Sequence, residues 1–402
     1  MPNTQQTIHF NWETVDGTKS ALWKSERRTP APKKLIAASD TITADQAYRL
    51  ACEGTFLLWE GDFQNAKQLL QALARRIDKS AAPRKISKQK NRDIPPISPS
   101  DAFHRHRLAQ SQRARILGSI LIPLNSQYQI QLKRAPQVEI ACSQSWGKPL
   151  ENEQLIITSL RELLGIISAH EWRKKGVQIR ALGDEPHHRI FPHYGVFSPI
   201  RGEYIELVTK APLPKLSSEP LIAFDIGTGT GILTAILAQR GFDKIIATDL
   251  DPRALACANE NLKNLGLLNR KDPKIELIQT DLFPSGKASL IVCNPPWLPA
   301  RPSSPLEHAV YDENSKMLKG FLKGLLNHLE PDGQAWLILS DLAEHLELRS
   351  REELLSWIKG SGLTVLNKLD IKPHHPKAVD PNNRLHFARS LETTSLWQLV
   401  KA

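Results

Sequence analysis

Three alternating glycines constrain the fold of this chain more than any other feature. The apolar run Leu221–Ile226 reads as a buried strand, and it is followed by Gly227, Gly229 and Gly231 and then by the helix-type run Ile232–Arg240. Glycine is needed where the backbone takes a positive φ or lies directly against a ligand. A strand, a glycine turn and a helix place such backbone at the carboxyl edge of a parallel sheet, where open α/β folds bind ligands. The alternative is a turn that serves only strand–helix packing.

A second motif follows another predicted strand. Leu290–Cys293 is apolar enough for a central strand, and it is followed by Asn294, Pro295, Pro296 and Trp297. Two prolines stop the hydrogen-bonded ladder and stiffen the backbone. We therefore expect an amide side chain and an aromatic ring at the same sheet edge as the glycine turn. The alternative is a strand-ending turn with a packing tryptophan.

With these motifs the chain resembles the class I S-adenosylmethionine-dependent methyltransferases that carry an N-P-P-aromatic motif. The matching sequence segments are DIGTGTG at 225–231, ATDLDPRAL at 247–255, QTDLFP at 279–284 and NPPWLP at 294–299. These motif sequences are most similar to those of the HemK-like glutamine methyltransferases and the related small-domain RNA methyltransferases. Tyrosine is commoner than tryptophan at the last motif position of that group. The resemblance spans roughly residues 190–400 and does not cover residues 1–185.

The resemblance implies S-adenosylmethionine as the cofactor, held by the glycine loop. Gly227, Gly229 and Gly231, with Thr228 between them, would let the backbone approach its sugar and its methionine part. Asp225 would orient its ammonium group, directly or through water. A carboxylate that caps the following helix is the alternative for Asp225.

Two further strand ends carry candidate cofactor ligands. Asp249 ends the second predicted strand, where a carboxylate can accept hydrogen bonds from both ribose hydroxyls, although a surface aspartate is the alternative. Leu250 would lie against the adenine face. By resemblance Asp281, beside Leu282, meets the adenine amino group, and a turn or N-cap aspartate is its alternative.

The predicted catalytic motif is Asn294, Pro295, Pro296 and Trp297. The resemblance implies a planar target nitrogen, whose delocalised lone pair makes it a poor nucleophile. The side-chain oxygen of Asn294 can accept one N–H of the target, and the main-chain carbonyl of Pro295 can accept the other. Two acceptors localise the lone pair toward the methyl group, and Trp297 offers a flat stacking surface. Asn294 is also counted among the cofactor-binding residues.

The alternation of strands and helices predicts an α/β fold. A doubly wound, Rossmann-like parallel sheet with right-handed crossovers accounts for this order, and the resemblance implies the class I methyltransferase fold. The late strands Leu363–Leu369 and Ser395–Val400 suggest a closing antiparallel hairpin. We expect two domains, a basic and mainly helical domain over residues 1–185 and a methyltransferase domain over residues 186–402.

The predicted first domain begins with a polar, irregular lead over residues 1–40. Helices are predicted at Ala44–Cys52, Asp62–Ile77, Ala102–Leu117 and Glu153–Trp172, and one or two strands within Ile120–Leu132. The stretch Lys79–Ser100 is rich in lysine, proline and serine, which is typical of a flexible linker. We expect this domain to recognise the substrate.

The net charge of +11 lies entirely in the first half of the chain. Residues 1–200 hold 29 Lys and Arg against 18 Asp and Glu, whereas residues 201–402 hold 24 of each. Residues 67–134 alone hold 15 basic and 3 acidic side chains. This distribution favours a polyanionic partner, with the helix at 102–117 as the first candidate for phosphate contact. A lysine-rich surface with one flexible insertion is the alternative.

Composition disfavours other classes of protein. We found no run of 18 apolar residues and no basic-then-apolar leader, so no membrane partner and a cytoplasmic location are expected. The four cysteines lie far apart, which argues against a disulfide framework or a zinc knuckle. A metal site could be suspected at His187, His188 and His193. Methyl transfer to nitrogen needs no metal, however, and we predict no metal site.

Several functions remain open at this point. The first, which the sequence favours, is N-methylation of an RNA base in rRNA or tRNA, because of the basic residues 67–134. The second is methylation of a protein glutamine, in a release factor or ribosomal protein, because of the motif wording. The third is a non-catalytic cofactor-binding protein on the same fold. An NAD enzyme is weaker still, because a dinucleotide fingerprint would place its last glycine at Ile232.

Overall fold

The computed structural model describes residues 8–15, 17–26, 29–81, 97–185, 188–199, 202–214, 219–268, 273–303, 305–374, 380–381 and 383–402. The chain forms two compact units, one of Met1–Ser98 with His104–Glu171 and one of Pro99–Phe103 with Trp172–Ala402. We call them unit 1 and unit 2. The domain boundary expected at residue 185 falls somewhat later in the chain than the division at residue 171. Most of the predicted linker, residues 82–96, lies outside the described residues.

Unit 1 is built around a six-stranded sheet. The first elements in chain order are β1 Ile8–Thr14, β2 Gly17–Trp23, β3 Leu35–Ala38, α1 Ala44–Cys52, β4 Phe56–Trp59, α2 Phe63–Ala81, α3 Pro99–Leu117, β5 Ile120–Leu124, α4 Glu139–Trp146, β6 Ile156–Ser159 and α5 Leu160–Lys175. The strand order is β1-β2-β6-β5-β4-β3. Strands β3, β4 and β5 run parallel, and β5 pairs antiparallel with β6. Helical residues outnumber strand residues in this unit, as predicted, but the sheet organises it.

The predicted helices of unit 1 are present, whereas most of its strands were not predicted. Helix α1 has the predicted bounds, because Thr43 and Gln46 form a capping box at its start. The expectation of an irregular lead over residues 1–40 is wrong, because β1, β2 and β3 lie there. Strand β1 alternates the apolar residues Ile8, Phe10 and Trp12 with polar ones, a strand signal that the prediction overlooked. The predicted helix at 153–172 begins only at Leu160. The residues of β6 before it are all buried and show no alternation that would mark a strand.

Unit 2 contains a seven-stranded sheet. Its elements are β7 Val177–Gln178, β8 Arg189–Ile190, α6 Glu203–Lys210, β9 Ile222–Ile226, α7 Ile232–Gln239, β10 Lys244–Asp249, α8 Pro252–Asn264, β11 Lys274–Gln279, β12 Ala288–Cys293, α9 Lys316–His328, β13 Leu329–Ser340, α10 Leu342–His345, α11 Arg351–Gly360, β14 Leu363–Ile371, α12 His386–Arg389 and β15 Thr394–Lys401. The strand order is β11-β10-β9-β12-β13-β15-β14. The first five strands in this order are parallel, and β15 runs antiparallel to both of its neighbours.

This order confirms the predicted doubly wound sheet and the predicted antiparallel close. From β9 the chain winds outward through β10 and β11 on one side, and through β12 and β13 on the other. The point between β9 and β12 is therefore the topological switch point, where open α/β sheets bind ligands at the carboxyl ends of the strands. The glycine loop follows β9 and the N-P-P-W motif follows β12, so both begin at this point of the sheet.

Both faces of the unit 2 sheet are covered, so its central strands are mainly apolar. One core includes buried residues of α6, α7 and α8, and the other includes buried residues of α9 and α11. Every residue of β12 is buried. Parallel strands with helices on both faces read as continuous apolar runs, which is why β12 could be recognised from sequence. Among the described residues, no helix combines the length and the apolarity needed to cross a lipid bilayer.

Candidate active site

Strand register places the two sequence motifs side by side. Asp225 of β9 pairs with Val292 of β12, and Ile226 pairs with Cys293. The next position along both strands brings Gly227 opposite Asn294. Neighbouring strands lie about 4.8 Å apart, so the glycine loop and the carboxamide motif begin as immediate neighbours.

The glycine loop is tightly held by its surroundings. The N–H groups of Gly227 and Thr228 each donate to the carbonyl of Thr248 at 2.9 Å. Gly231 begins α7 with φ +81°, a left-handed value that side chains disfavour. A Cβ on Gly231 would lie 3.1 Å from Cα and Cβ of Ala258, so α8 approaches the loop closely here. The loop needs this glycine for conformation and for space.

Asp225 presents one satisfied and one unsatisfied carboxylate oxygen. The side chain is fully buried, and its Oδ2 accepts hydrogen bonds from the hydroxyls of Thr228 at 2.7 Å and Thr234 at 2.6 Å. Its Oδ1 is buried, and no donor among the described residues reaches it. Burial raises the pKa of the Asp225 carboxyl to about 6, against the lowering effect of the two threonines. A buried acceptor without a donor fits a cationic ligand group such as an ammonium.

Thr234 was not singled out in the sequence, although its position carries a signal. It lies fully buried in the first turns of α7, between apolar neighbours. A polar residue inside such a run needs a buried partner, and here that partner is Asp225.

Tyr204 of α6 is a second residue near Asp225 that was not singled out in the sequence. It is buried, and its pKa is raised by burial and by the nearby charges of Asp225 and Glu203.

Asp249 closes the neighbouring strand end and faces the glycine loop. Its Oδ2 accepts from the N–H of Gly229 at 3.0 Å, and its Oδ1 accepts from the N–H of Asp251 at 2.9 Å. Burial raises the pKa of the Asp249 carboxyl. Beside it, Leu250 is 65% exposed, which leaves an apolar surface uncovered next to the carboxylate. Both side chains stand where a nucleoside would be expected.

Asp281 and Leu282 follow β11 at the outer end of this edge. Asp281 is exposed, and Leu282 is half-buried with a left-handed φ of +67°. The carbonyl of Leu282 accepts a hydrogen bond from the hydroxyl of Thr248 at 2.6 Å. This bond ties the turn after β11 to β10, so Asp281 stays at the same edge as the other predicted cofactor residues.

Asn294 and Trp297 contact each other directly. The indole Nε1–H of Trp297 donates to Oδ1 of Asn294 at 2.9 Å. Pro295 is buried, while Asn294, Pro296 and Trp297 are half-buried. Trp297 packs against both cores of unit 2. The oxygen expected to accept from the target thus already accepts one bond, and an amide oxygen has a second lone pair for another.

Of the histidines considered as metal ligands, His193 has a carboxylate partner. Nε2 of His193 lies 2.8 Å from Oε2 of Glu260, which also accepts from Arg173. Burial, opposed by Glu260, lowers the pKa of His193. His188 is buried, and His187 lies outside the described residues. Within the described ranges, no group of three or more histidine, cysteine, aspartate or glutamate side chains could hold a metal ion.

Several arginines of the basic stretch 67–134 bind within unit 1. Arg76 pairs with Asp45, Arg113 with Asp78, and Arg134 with Asp62. Arg115 donates to the carbonyl of Ala51 at 3.1 Å. These four side chains have structural partners, and five further basic residues of the stretch lie outside the described residues.

Comparison with known proteins identifies the segment that carries these motifs. Residues 188–354 match the family described as the methyltransferase small domain. A provisionally named protein N5-glutamine methyltransferase of Methanocaldococcus jannaschii is 30% identical over 131 residues, which cover 31% of this chain and 64% of that protein. The family match confirms the predicted resemblance, and the expected enzyme class and cofactor agree with it.

Two further relatives match shorter stretches. The ribosomal protein L11 methyltransferase of Carboxydothermus hydrogenoformans is 43% identical over 71 residues, 18% of this chain and 22% of that protein. The release factor glutamine methyltransferase of Cereibacter sphaeroides is 44% identical over 79 residues, 19% of this chain and 27% of that protein. The chain spans less than two thirds of the length of each of these three relatives.

Proposed function

Because residues 188–354 match the methyltransferase small domain, we propose that this chain transfers a methyl group from S-adenosylmethionine to a side-chain amide nitrogen of a protein. The observation that carries the proposal is the register of β9 and β12. It pairs the last residues of the two strands, so the N-P-P-W motif and the glycine loop both begin at the switch point of the sheet. The methyl donor and the acceptor nitrogen therefore meet at one edge.

The residues at this edge fit the cofactor. S-adenosylmethionine, when bound, supplies a methyl group that its sulfonium already activates. The unpartnered Oδ1 of Asp225 would hold the ammonium group, and Asp249 would hold the ribose hydroxyls. Leu250, which is exposed, would lie against the adenine, and Asp281 and Leu282 would hold its amino group.

The acceptor nitrogen is positioned by the N-P-P-W motif. Oδ1 of Asn294 accepts one N–H of the target through its second lone pair, and the carbonyl of Pro295 accepts the other. Together they localise the nitrogen lone pair toward the methyl group. Trp297 orients the carboxamide through its indole N–H and lends its ring to the planar target. Holding both reactants in line contributes to the rate enhancement of such a reaction.

A protein of the translation apparatus is the favoured substrate. The relatives include glutamine methyltransferases and a methyltransferase of ribosomal protein L11. The intramolecular partners of Arg76, Arg113 and Arg134 reduce the charge that unit 1 offers to phosphates. A glutamine side chain presents the planar amide that the motif requires.

An RNA base is the second candidate substrate, because residues 67–134 hold 15 basic and only 3 acidic side chains. A base amine is planar like an amide, and the motif serves both. A target base within a stem would first be swung out of its stack.

The test is transfer of a tritiated methyl group to fractionated protein and RNA from a strain that lacks the enzyme. Label that is removed by protease and retained after ribonuclease supports the protein substrate, and the reverse supports RNA. For RNA, substrate affinity should also fall steeply with salt concentration. No transfer to either fraction, with S-adenosylhomocysteine still raising the melting temperature, would favour a non-catalytic binding protein.

A further inference from the structure

Asp312 is a buried carboxylate that caps the helix after the N-P-P-W motif. It is 8% exposed. Its Oδ1 accepts from the N–H of Met317 at 3.0 Å, and its Oδ2 accepts from the N–H of Leu318 at 3.1 Å. Ser315, the residue at the cap position of α9, makes no side-chain cap bond within the described residues. The first N–H groups of α9 therefore depend on Asp312.

The main chain of Asp312 holds the residue that follows Trp297. Its N–H donates to the carbonyl of Leu298 at 2.9 Å. The N–H of Leu298 in turn donates to the carbonyl of Val310 at 3.2 Å. Leu298, the residue that follows the N-P-P-W motif, is thus hydrogen-bonded through both its N–H and its carbonyl to the segment that ends in Asp312.

The first turn of α9 also lies against the glycine loop. A Cβ on Gly227 would lie 3.1 Å from the terminal methyl carbon of Met317. Met317 is one of the two residues whose N–H groups Asp312 holds. Asp312 is therefore linked to the N-P-P-W motif through Leu298, which follows it, and to the glycine loop through Met317.

Buried charge surrounds this carboxylate. Arg349 is 3% exposed, and its positive charge interacts with Asp312 as well as with Glu344 and Glu353. On the other side, the negative charge of Asp312 acts on the thiol of the fully buried Cys293 at the end of β12. Interactions between charges are strong in such a buried setting.

We propose that Asp312 is a positioning residue for methyl transfer, which fixes the spacing between the glycine loop and the N-P-P-W motif. The inference rests on the proposed function and names a residue outside both motifs. Asp312 touches neither reactant. It acts through α9 and Leu298, and a small displacement of either motif lowers the rate of transfer without removing the cofactor site.

The test compares Asp312→Asn and Asp312→Ser with Ser350→Ala. Both Asp312 variants keep the backbone bond to Leu298, and serine can still cap a helix, so at least one should fold. Ser350→Ala removes a cap of similar kind from α11, where Ser350 and Glu353 form a capping box. It is the matched control for loss of a helix cap alone.

We expect kcat to fall by about 10-fold to about 100-fold in both Asp312 variants, with calorimetric affinity for S-adenosylhomocysteine within about threefold of wild type. The control should lose stability and keep its kcat. The 19F NMR resonance of fluorotryptophan at position 297, assigned with Trp297→Phe, should shift in the Asp312 variants and stay in place in the control. An unchanged kcat and an unshifted resonance would overturn the proposal.

The resonance separates the two proposals. If wild-type protein transfers no methyl group, the proposed function fails. The shift of the Trp297 resonance still decides whether Asp312 positions the motif: a shift supports the inference, and an unmoved resonance overturns it.

Discussion

The indole N–H of Trp297 donates to the carboxamide oxygen of Asn294, three residues earlier, at 2.9 Å. This bond fixes which way the amide of Asn294 faces, because its NH2 group could not accept from the indole. It also consumes one of the two lone pairs of the oxygen. The aromatic residue of the motif is therefore a hydrogen-bond donor to the catalytic amide as well as a ring.

Trp297→Phe should lower kcat by about fivefold to tenfold, which corresponds to one lost hydrogen bond of about 1 kcal/mol. The phenyl ring keeps a stacking surface but leaves the carboxamide free to rotate. Trp357→Phe serves as control, because Trp357 lies on α11 under the ammonium of Lys319. Equal turnover in the two variants would show that the indole N–H has no part in catalysis.

Asn294→Ala should reduce methyl transfer by about 100-fold or more, as expected when a fixed acceptor of the transition state is removed. Affinity for S-adenosylhomocysteine should stay within a few fold, because Asp225, Asp249 and the glycine loop are untouched. Single-turnover kinetics and calorimetry measure the two quantities. Normal turnover in this variant would remove the motif from the mechanism.

Cofactor affinity should depend on pH through Asp225, whose carboxyl pKa burial raises to about 6. The ionised form attracts an ammonium group, so below about pH 6 binding must release a proton and affinity falls by up to about tenfold per pH unit. Calorimetry with S-adenosylhomocysteine between about pH 5 and pH 8 measures this slope. Asp225→Asn should flatten it, and an equally steep slope in that variant would assign the titration elsewhere.

Asp225 should also affect the stability of the ligand-free protein, but in the opposite direction. Cofactor affinity falls as the pH is lowered, whereas the free energy of unfolding should rise. The pKa of Asp225 in the folded state, about 6, lies above the value of about 3.9 for an unfolded chain. The folded state therefore binds the proton more tightly, and the stability it contributes is lost as pH rises from about 4 to about 6. Urea unfolding of wild type and Asp225→Asn over this range checks the sign.

Asp249→Ala should weaken cofactor binding before it affects chemistry. The side chain accepts from the N–H of Gly229 and stands at the expected ribose position. Loss of both roles should raise the Kd for S-adenosylhomocysteine by about 10-fold or more, equivalent to one or two hydrogen bonds to a charged group. An unaltered Kd in calorimetry would exclude the ribose role.

Gly231→Ala should destabilise unit 2 more than Gly241→Ala. Both glycines have left-handed φ values, +81° and +88°, so both variants lose about 1–2 kcal/mol to backbone strain. Only at Gly231 would the new Cβ also press on Ala258, at 3.1 Å; at Gly241 no atom of the described residues lies within 4 Å. The extra cost should be about 1–3 kcal/mol in urea unfolding. Equal losses would mean that α8 can retreat from the loop.

The sequence predicted the sheet of unit 2 well because its strands are buried on both faces. Within β12, Leu290–Cys293 is an unbroken apolar run, and the prolines after it mark its end. Once the strands are parallel, the meeting of Gly227 and Asn294 follows from the order of the strands. The wide separation of these two residues in the chain is no obstacle to that argument.

Other features have no local pattern. The bond from Trp297 to Asn294 depends on two side-chain rotamers, which spacing does not encode. Asp312 caps α9 from outside the usual cap position, with Ser315 in between. A sequence-based prediction that places the cap directly before α9 would therefore assign it to Ser315 and miss Asp312.

Strand β15 lies between β13 and β14, so residues 394–401 form an interior strand of the unit 2 sheet. Until the ribosome has released this segment, β13 presents an open edge to its surroundings, and β14 has no place to dock. A nascent chain that stalls before residue 394 would expose unpaired backbone groups of a central apolar strand, which is a hazard for aggregation. The sheet of unit 2 can thus be completed only after residues 394–401 have left the ribosome.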